Sequence, residues 1–322
     1  MKSNKVKQIL SEYACLVFLL VSVVIASIIS DQFLSLTNMQ NLLKQGAVLC
    51  VLSMGLGLVL MSGCIDLSVG ANMAIASCIT INLFDVIGVI PSFIVAVVVC
   101  VAVSCINMLI IHLSKARAME IMMITFGMKL VYRGIAQALT GNVVYRYVGQ
   151  GLFASIGKGM IFGCIPTIGV IVIILVIILG VILDKLRFGR EVVYVGSNPE
   201  AARLAGISVN KTRLICFIVA GVFCAIAGML LASRTGAVKA LSGDNWEMDA
   251  VCALSIGGFS MMGGFGSAWR CFVGAYVFTI INNILNLVGA DAYTQVVVQG
   301  CVMILAVWVD MELRVKNRGG NI

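Results

Sequence analysis

Across 322 residues, 61% are hydrophobic and only 11% charged, with a mean hydropathy of +1.09, against about 45–50% and about 25% in soluble domains. No soluble fold of this size hides that much apolar surface, so the chain is expected to cross a membrane repeatedly. Lipid leaves helices or a closed barrel as the ways to satisfy a backbone, and period-two alternation is absent; the expected fold class is all-α, a polytopic membrane helical bundle.

In chain order, a basic start with Lys2, Lys5 and Lys7 precedes the apolar run 14–30. That run is long for the h-region of a signal peptide and further spans follow it, so it is expected to be a retained first helix. Later spans are expected at about 45–62, 67–87, 91–112, 121–140, 164–184, 214–233, 250–264, 270–288 and 293–310, making about ten in all. Glycines and Asp66 interrupt the pair 45–62 and 67–87, and 250–264 is short.

With the N-terminus inside and ten spans, fifteen Lys and Arg fall on the inner side, among them Lys115, Arg117, Lys185, Arg187, Arg190, Arg203, Lys211, Arg213 and Arg270. The outer side receives five: Lys44, Arg146, Lys158, Arg234 and Lys239. This asymmetry is what the positive-inside rule expects with both termini cytoplasmic. It also accounts for most of the net charge of +8, which therefore calls for no nucleic-acid partner.

The twelve cysteines are scattered through apolar stretches without a CxxC pair, and His112 is the one histidine. Neither a metal site nor a disulfide framework is expected; the thiols should pack as small apolar residues, and His112 should mark a helix end.

Three segments break the apolar pattern. In Ser62-Gly63-Cys64-Ile65-Asp66-Leu67-Ser68-Val69-Gly70, a carboxylate within a hydrophobic region costs about 2.5–3.5 kcal/mol on insertion scales and usually faces a cavity or a partner. Asp66, assisted by Ser68, could cap a half-helix whose unwound approach lines a water-filled path, or it could be a simple N-cap at an interface. In the polar stretch 185–213, Asn198 is a good N-cap, Pro199 suits the first helical position, Glu200 complements the helix start and Gly206 can end the turn. The resulting short helix is either a structural elbow or a docking knob for a soluble partner. Gly257-Gly258-Phe259-Ser260-Met261-Met262-Gly263-Gly264-Phe265-Gly266 is too Gly-rich for a plain span and reads as a second interruption or a hinge.

No GxxxxGK[ST], GxSxG, HExxH or GxGxxG occurs; Gly151 to Gly159 has the wrong spacing and ends Gly-Lys-Gly. The chain should therefore not bind ATP through a P-loop. Asp66, Glu120, Lys129 and Arg133 are the intramembrane charges, with Lys129 and Arg133 one turn apart and able to snorkel to an interface.

Ile65 to Gly70 resembles the Gly-Ile-Asp-Leu-Ser-Val-Gly signature of ribose-type ABC transporter permeases, and Asn198 to Ile207, continuing into Val209-Asn210-Lys211, resembles that family's cytoplasmic coupling segment. Gly257 to Gly266 is similar to its Gly-Gly-x-Ser-x-x-Gly-Gly-x-Gly stretch. Asn282-Asn283-Ile284-Leu285-Asn286-Leu287, with Tyr293 and Gln295, is similar to its next helix and turn. The likeness runs from about residue 35 to 312. It departs at Cys64, where glycine is common, at 119–122, where Met-Glu-Ile-Met replaces a proline-containing start, and over Arg234 to Glu247, an external loop where binding-protein contact could vary.

The resemblance implies a single transmembrane permease domain over 1–322, with a coupling segment at about 190–212, in the bacterial cytoplasmic membrane. It implies a second permease chain, taken as identical, a separate ABC ATPase subunit at 198–207, and a periplasmic or lipoprotein sugar-binding protein delivering a small-molecule sugar. Asp66, Ser68, Gly70 and Asn283 would shape the translocation pathway, and Asn198, Glu200, Ala201, Ala202, Gly206 and Ile207 would transmit force. No cofactor, metal or catalytic residue is implied, since ATP would be hydrolysed on the other subunit. An ion-coupled carrier, a membrane enzyme or channel, and a permease for nucleosides, furanosyl signalling molecules or branched-chain amino acids are the rivals; Asp-Leu-Ser-Val-Gly favours sugars by family analogy.

Overall fold

The computed structural model describes residues 2–141, 143–147 and 151–318. The side chains of residues 2–14, 118, 306, 307 and 309–318 lie outside the described set, and with them the terminal basic side chains counted above.

The first half of the chain forms α1 (Lys2–Ile29), α2 (Leu36–Met61), α3 (Val69–Ile87), α4 (Val89–Ser114) and α5 (Ala118–Thr140). A small cap follows, with β1 (Tyr145–Arg146), α6 (Leu152–Lys158), β2 (Met160–Ile161) and β3 (Ile165–Pro166). Then come α7 (Thr167–Lys185), α8 (Arg187–Ser197), α9 (Pro199–Leu204), α10 (Val209–Thr235), β4 (Ala237–Val238), α11 (Trp246–Ile256), α12 (Ala268–Leu287) and α13 (Ala292–Arg318). The two-residue strands pair antiparallel, β1 with β4 and β2 with β3.

Helices α2, α3, α4, α7, α10 and α12 are each long and apolar enough to cross a membrane, and α1 and α13 contain shorter apolar stretches, Cys15–Ile29 and Ala292–Leu305. The chain is thus an all-α polytopic membrane protein. The expected crossing at 250–264 is corrected: α11 stops at Ile256, and Gly257 and Gly258 turn the chain, with Gly258 at φ +76. Eleven residues rise only about 16 Å, well short of the hydrocarbon thickness of about 30 Å. The Gly-rich stretch 257–266 is thus the interruption between two helices that its composition suggested.

Helices α2 and α10 form the centre. From Gly46 to Met61 every residue of α2 is buried, as a helix apolar all round must be when enclosed by others. Along α10 the buried Ala220, Gly221, Cys224, Ala225, Ala227 and Gly228 let α2, α3 and α4 approach closely, the usual basis of helix packing in lipid. At Gly228 a side chain would collide with Ala76 and the backbone of Met73 and Ser77 on α3. Helices α4 and α7 keep long exposed apolar faces, including Ile94, Val98, Ile173 and Ile177, suited to lipid.

Candidate functional site

The three interrupting segments, far apart in sequence, meet at one end of the bundle. Helix α2 ends in a turn in which the Gly63 N–H donates to the Leu60 carbonyl (2.9 Å) and the Cys64 N–H to that of Val59 (3.3 Å), with Gly63 at φ +79. This is the Schellman closure, which needs a left-handed residue at that position. The freed Met61 carbonyl accepts from the Gly264 N–H at 2.9 Å, and the Ser62 carbonyl accepts from Arg213 Nε at 3.3 Å. Gly196, on α8, packs so tightly against Met61 and Gly264 that any side chain would overlap their backbones.

Beside this junction stands α9. The Asn198 side chain accepts from the N–H groups of Glu200 and Ala201 at 3.1 and 3.0 Å, with Pro199 in the first turn. Gly206, at φ +80, closes the far end through Gly206 N–H to Arg203 O and Ile207 N–H to Ala202 O. Ala202 is buried among Val195, Val209 and Ile207, so it anchors the helix. Glu200, Ala201, Arg203, Ala205 and Gly206 face outward with Leu204, which is 90% exposed. A six-residue helix this exposed is too short to stand by its own propensity; the cap, the closure and the Ala202 anchor hold it as a rigid knob.

Beyond Cys64 the chain has no regular structure until a turn at Leu67 and Ser68 leads into α3. Asp66, 1% exposed, accepts through Oδ1 from the Ser68 N–H (2.9 Å) and hydroxyl (2.7 Å). Asn107 on α4 donates to Ser68 Oγ at 2.7 Å, and the Tyr132 hydroxyl on α5 donates to Asn107 Oδ1 at 2.7 Å. Thr125 accepts from the Leu67 N–H and donates to the Ile65 carbonyl, both at 3.1 Å. Asp66 and Ser68 therefore fasten the start of α3 to α4 and α5.

Gly70 has a different task. A methyl group there would occupy the place of Glu247 Oε2 and meet the Gly243 carbonyl. Glu247 is fully buried and paired with the buried Lys129, while Arg133 pairs with Asp244 at 2.5 Å and Lys129 lies 4.0 Å from Asp244. Lys129 and Arg133 thus do not snorkel to an interface. Nor is 234–247 a free external loop: Val238, Ala240 and Glu247 are buried, and the segment folds inward until α11 begins beside α3. Sequence reasoning missed Glu247 as a partner because 118 positions separate it from Lys129. Glu120 is a helix-start residue, its carboxylate accepting from the Arg117 N–H at 2.6 Å; it supplies the α5 start that proline supplies in the family pattern.

Asn283 is not brought to Asp66. It exchanges paired hydrogen bonds with Asn38, at 2.9 and 3.0 Å, near the opposite end of α2, roughly 35 Å along that helix from Met61.

A multi-span bundle with an anchored exposed knob at one end and a buried polar junction where two helices begin inside it defines a membrane permease. The chain belongs to the family described as branched-chain amino acid transport system / permease component, which it matches over residues 38–307. It is 33% identical to the ribose import permease protein of Bacillus subtilis over 297 residues, 91% of each chain. It is 31% identical to the ribose import permease protein of Haemophilus influenzae over 323 residues, 97% of each, and 30% identical to the galactose/methyl galactoside import permease protein of Escherichia coli over 325 residues, 94% of each. No solved structure matches the chain. The motif-level likeness to monosaccharide ABC permeases agrees with these relatives, and the chain is a transport component rather than an enzyme.

Proposed function

We propose that this chain is the membrane-spanning permease of an ATP-binding-cassette importer, moving a monosaccharide, ribose or a related sugar, across the bacterial cytoplasmic membrane. The observation that carries this is the junction of Met61, Gly196 and Gly264 beneath the exposed α9, in a chain whose relatives bear the names of ribose, galactose and xylose permeases.

In this reading about ten segments cross or enter the membrane, α11 among them as a half-helix, both termini are cytoplasmic and α9 is the grip of a separate ABC ATPase. Two copies of the chain form the pathway, and a periplasmic or lipoprotein sugar-binding protein delivers the solute at the face opposite α9. A push on α9 passes through Ala202 to α8 and α10, and through the Met61–Gly264 hydrogen bond to α2 and the 257–267 turn. Because α2 is buried along most of its length and fastened to α12 by Asn38–Asn283, it moves as a lever, in the manner of rigid-body transitions between packed states. Asp66, Ser68 and Gly70 shape the pathway by holding α3 where α11 approaches it.

The test is uptake into liposomes. Chain, ATPase and binding protein together should accumulate radiolabelled ribose, galactose or xylose only with ATP. Accumulation by the chain alone, driven by a proton gradient, overturns the proposal, and ATP-driven uptake of leucine instead assigns the chain to amino acids.

A further inference from the structure

The turn between α11 and α12 is closed on itself. The Ser260 N–H donates to the Phe265 carbonyl and the Gly263 N–H to that of Ser260, both at 3.0 Å. Gly263 and Gly264 stand at φ +89 and +77, a conformation that residues with side chains disfavour. A side chain at Gly263 would collide with Gly63, and one at Gly264 with Ser197, the residue before the α9 cap. Together with the Gly264–Met61 hydrogen bond, these approaches clamp the turn between the ends of α2 and α8.

The two methionines of the turn face opposite ways. Met261 packs back on the core, whereas Met262 is 80% exposed. Trp269, half exposed in the first turn of α12 and stacked on Phe272 at 5.4 Å, is the type of residue that gathers at a membrane–water boundary. Met262 precedes it on the side of the α9 junction, where Ser197, Asn198, Glu200 and Arg203 are all exposed. An apolar side chain held rigidly and rimmed by polar ones is a protein-binding feature rather than a lipid-facing one, and an exposed methionine adapts well to a partner's pocket.

Position joins this side chain to the knob. Met262 lies two residues from Gly264, which touches Ser197, and the six residues of α9 rise only about 9 Å. Met262 and Leu204 are therefore no more than about 25 Å apart, within the footprint of one interface of about 800 Å² per partner.

We infer that Met262 is a second contact for the soluble ATPase subunit that grips α9, seated in an apolar pocket of that subunit. This rests on the importer reading above and adds a surface to it. The two contacts lead into different parts of the bundle: α9 is anchored by Ala202 to α8 and α10, whereas the turn continues directly into α11 and α12. A subunit holding both sets the angle between those two pairs of helices, which a grip on α9 alone does not. Through α11 the movement reaches Glu247, its buried partner Lys129 on α5 and the start of α3 at Gly70.

The test is photo-crosslinking in inside-out vesicles that carry the chain together with its ABC ATPase. Benzoylphenylalanine in place of Met262, and separately in place of Leu204, should each yield an adduct of chain and ATPase. An ATPase adduct from position 204, with position 262 linked only to a second copy of the chain or only to lipid, overturns the second contact and leaves the α9 reading intact. Failure of both positions to reach the ATPase overturns the α9 reading as well. In the purified complex, Met262→Asp should weaken ATPase binding by about tenfold or more, the loss expected of an anchoring side chain, at an unchanged melting temperature, and Met262→Leu should bind as wild type. Wild-type ATPase affinity in Met262→Asp would overturn the contact.

Discussion

Glu247, buried in the first turn of α11, lies against the backbone of Gly70 in the first turn of α3, so that no side chain fits at Gly70 without displacing it. Two helices thus begin at one point inside the bundle, and the approach depends on a residue without a side chain. Gly70→Ala should destabilise the protein by about 1–3 kcal/mol, as overpacking does, and lower its melting temperature in detergent. Gly127→Ala, at a position with open space around it, should leave the melting temperature unchanged or raise it.

The Lys129–Glu247 pair makes a sharper prediction. Removing one partner of a buried ion pair leaves the other uncompensated, which costs about 3–5 kcal/mol. Lys129→Met should therefore yield little folded protein by size-exclusion chromatography, and Lys129→Met with Glu247→Gln should recover most of it. Equal yields from the single and double variants would mean that the pair is not held as a unit.

At the knob, position decides the outcome. Leu204→Glu changes a side chain that is 90% exposed and should leave the melting temperature unchanged while abolishing co-purification of the ATPase. Ala202→Glu would force a charge among Val195, Ile207 and Val209 and should unfold the segment, seen as rapid proteolysis after residue 197. Asn198→Ala loses the cap, worth about 1 kcal/mol, and should weaken ATPase binding without abolishing it.

Asn38 and Asn283 are each other's amide partners. Either single change to leucine strands a buried polar group, at about 1–3 kcal/mol, whereas Asn38→Leu with Asn283→Leu should be close to neutral. Thermal melting of the three variants measures the coupling.

What could be read in the chain order was local. The cap at Asn198, the closure at Gly206 and the long apolar helices all follow from residues within a turn of one another, and the structure has them. What could not be read depends on distant partners: Lys129 looked free to snorkel because Glu247 lies 118 positions away, and the pairing of Asn283 with Asn38, 245 positions away, leaves no local trace. The crossing at 250–264 gave way to the turn that the glycines at 257–266 had themselves suggested.

Leu204 offers the most direct measurement of where the knob points. With exposed Cys164 and Cys301 replaced by serine, Leu204→Cys should react with an impermeant maleimide in inside-out vesicles, and added ATPase should protect it. Reaction in intact cells, from the outer face, would contradict a cytoplasmic grip for the ATPase and with it the importer account.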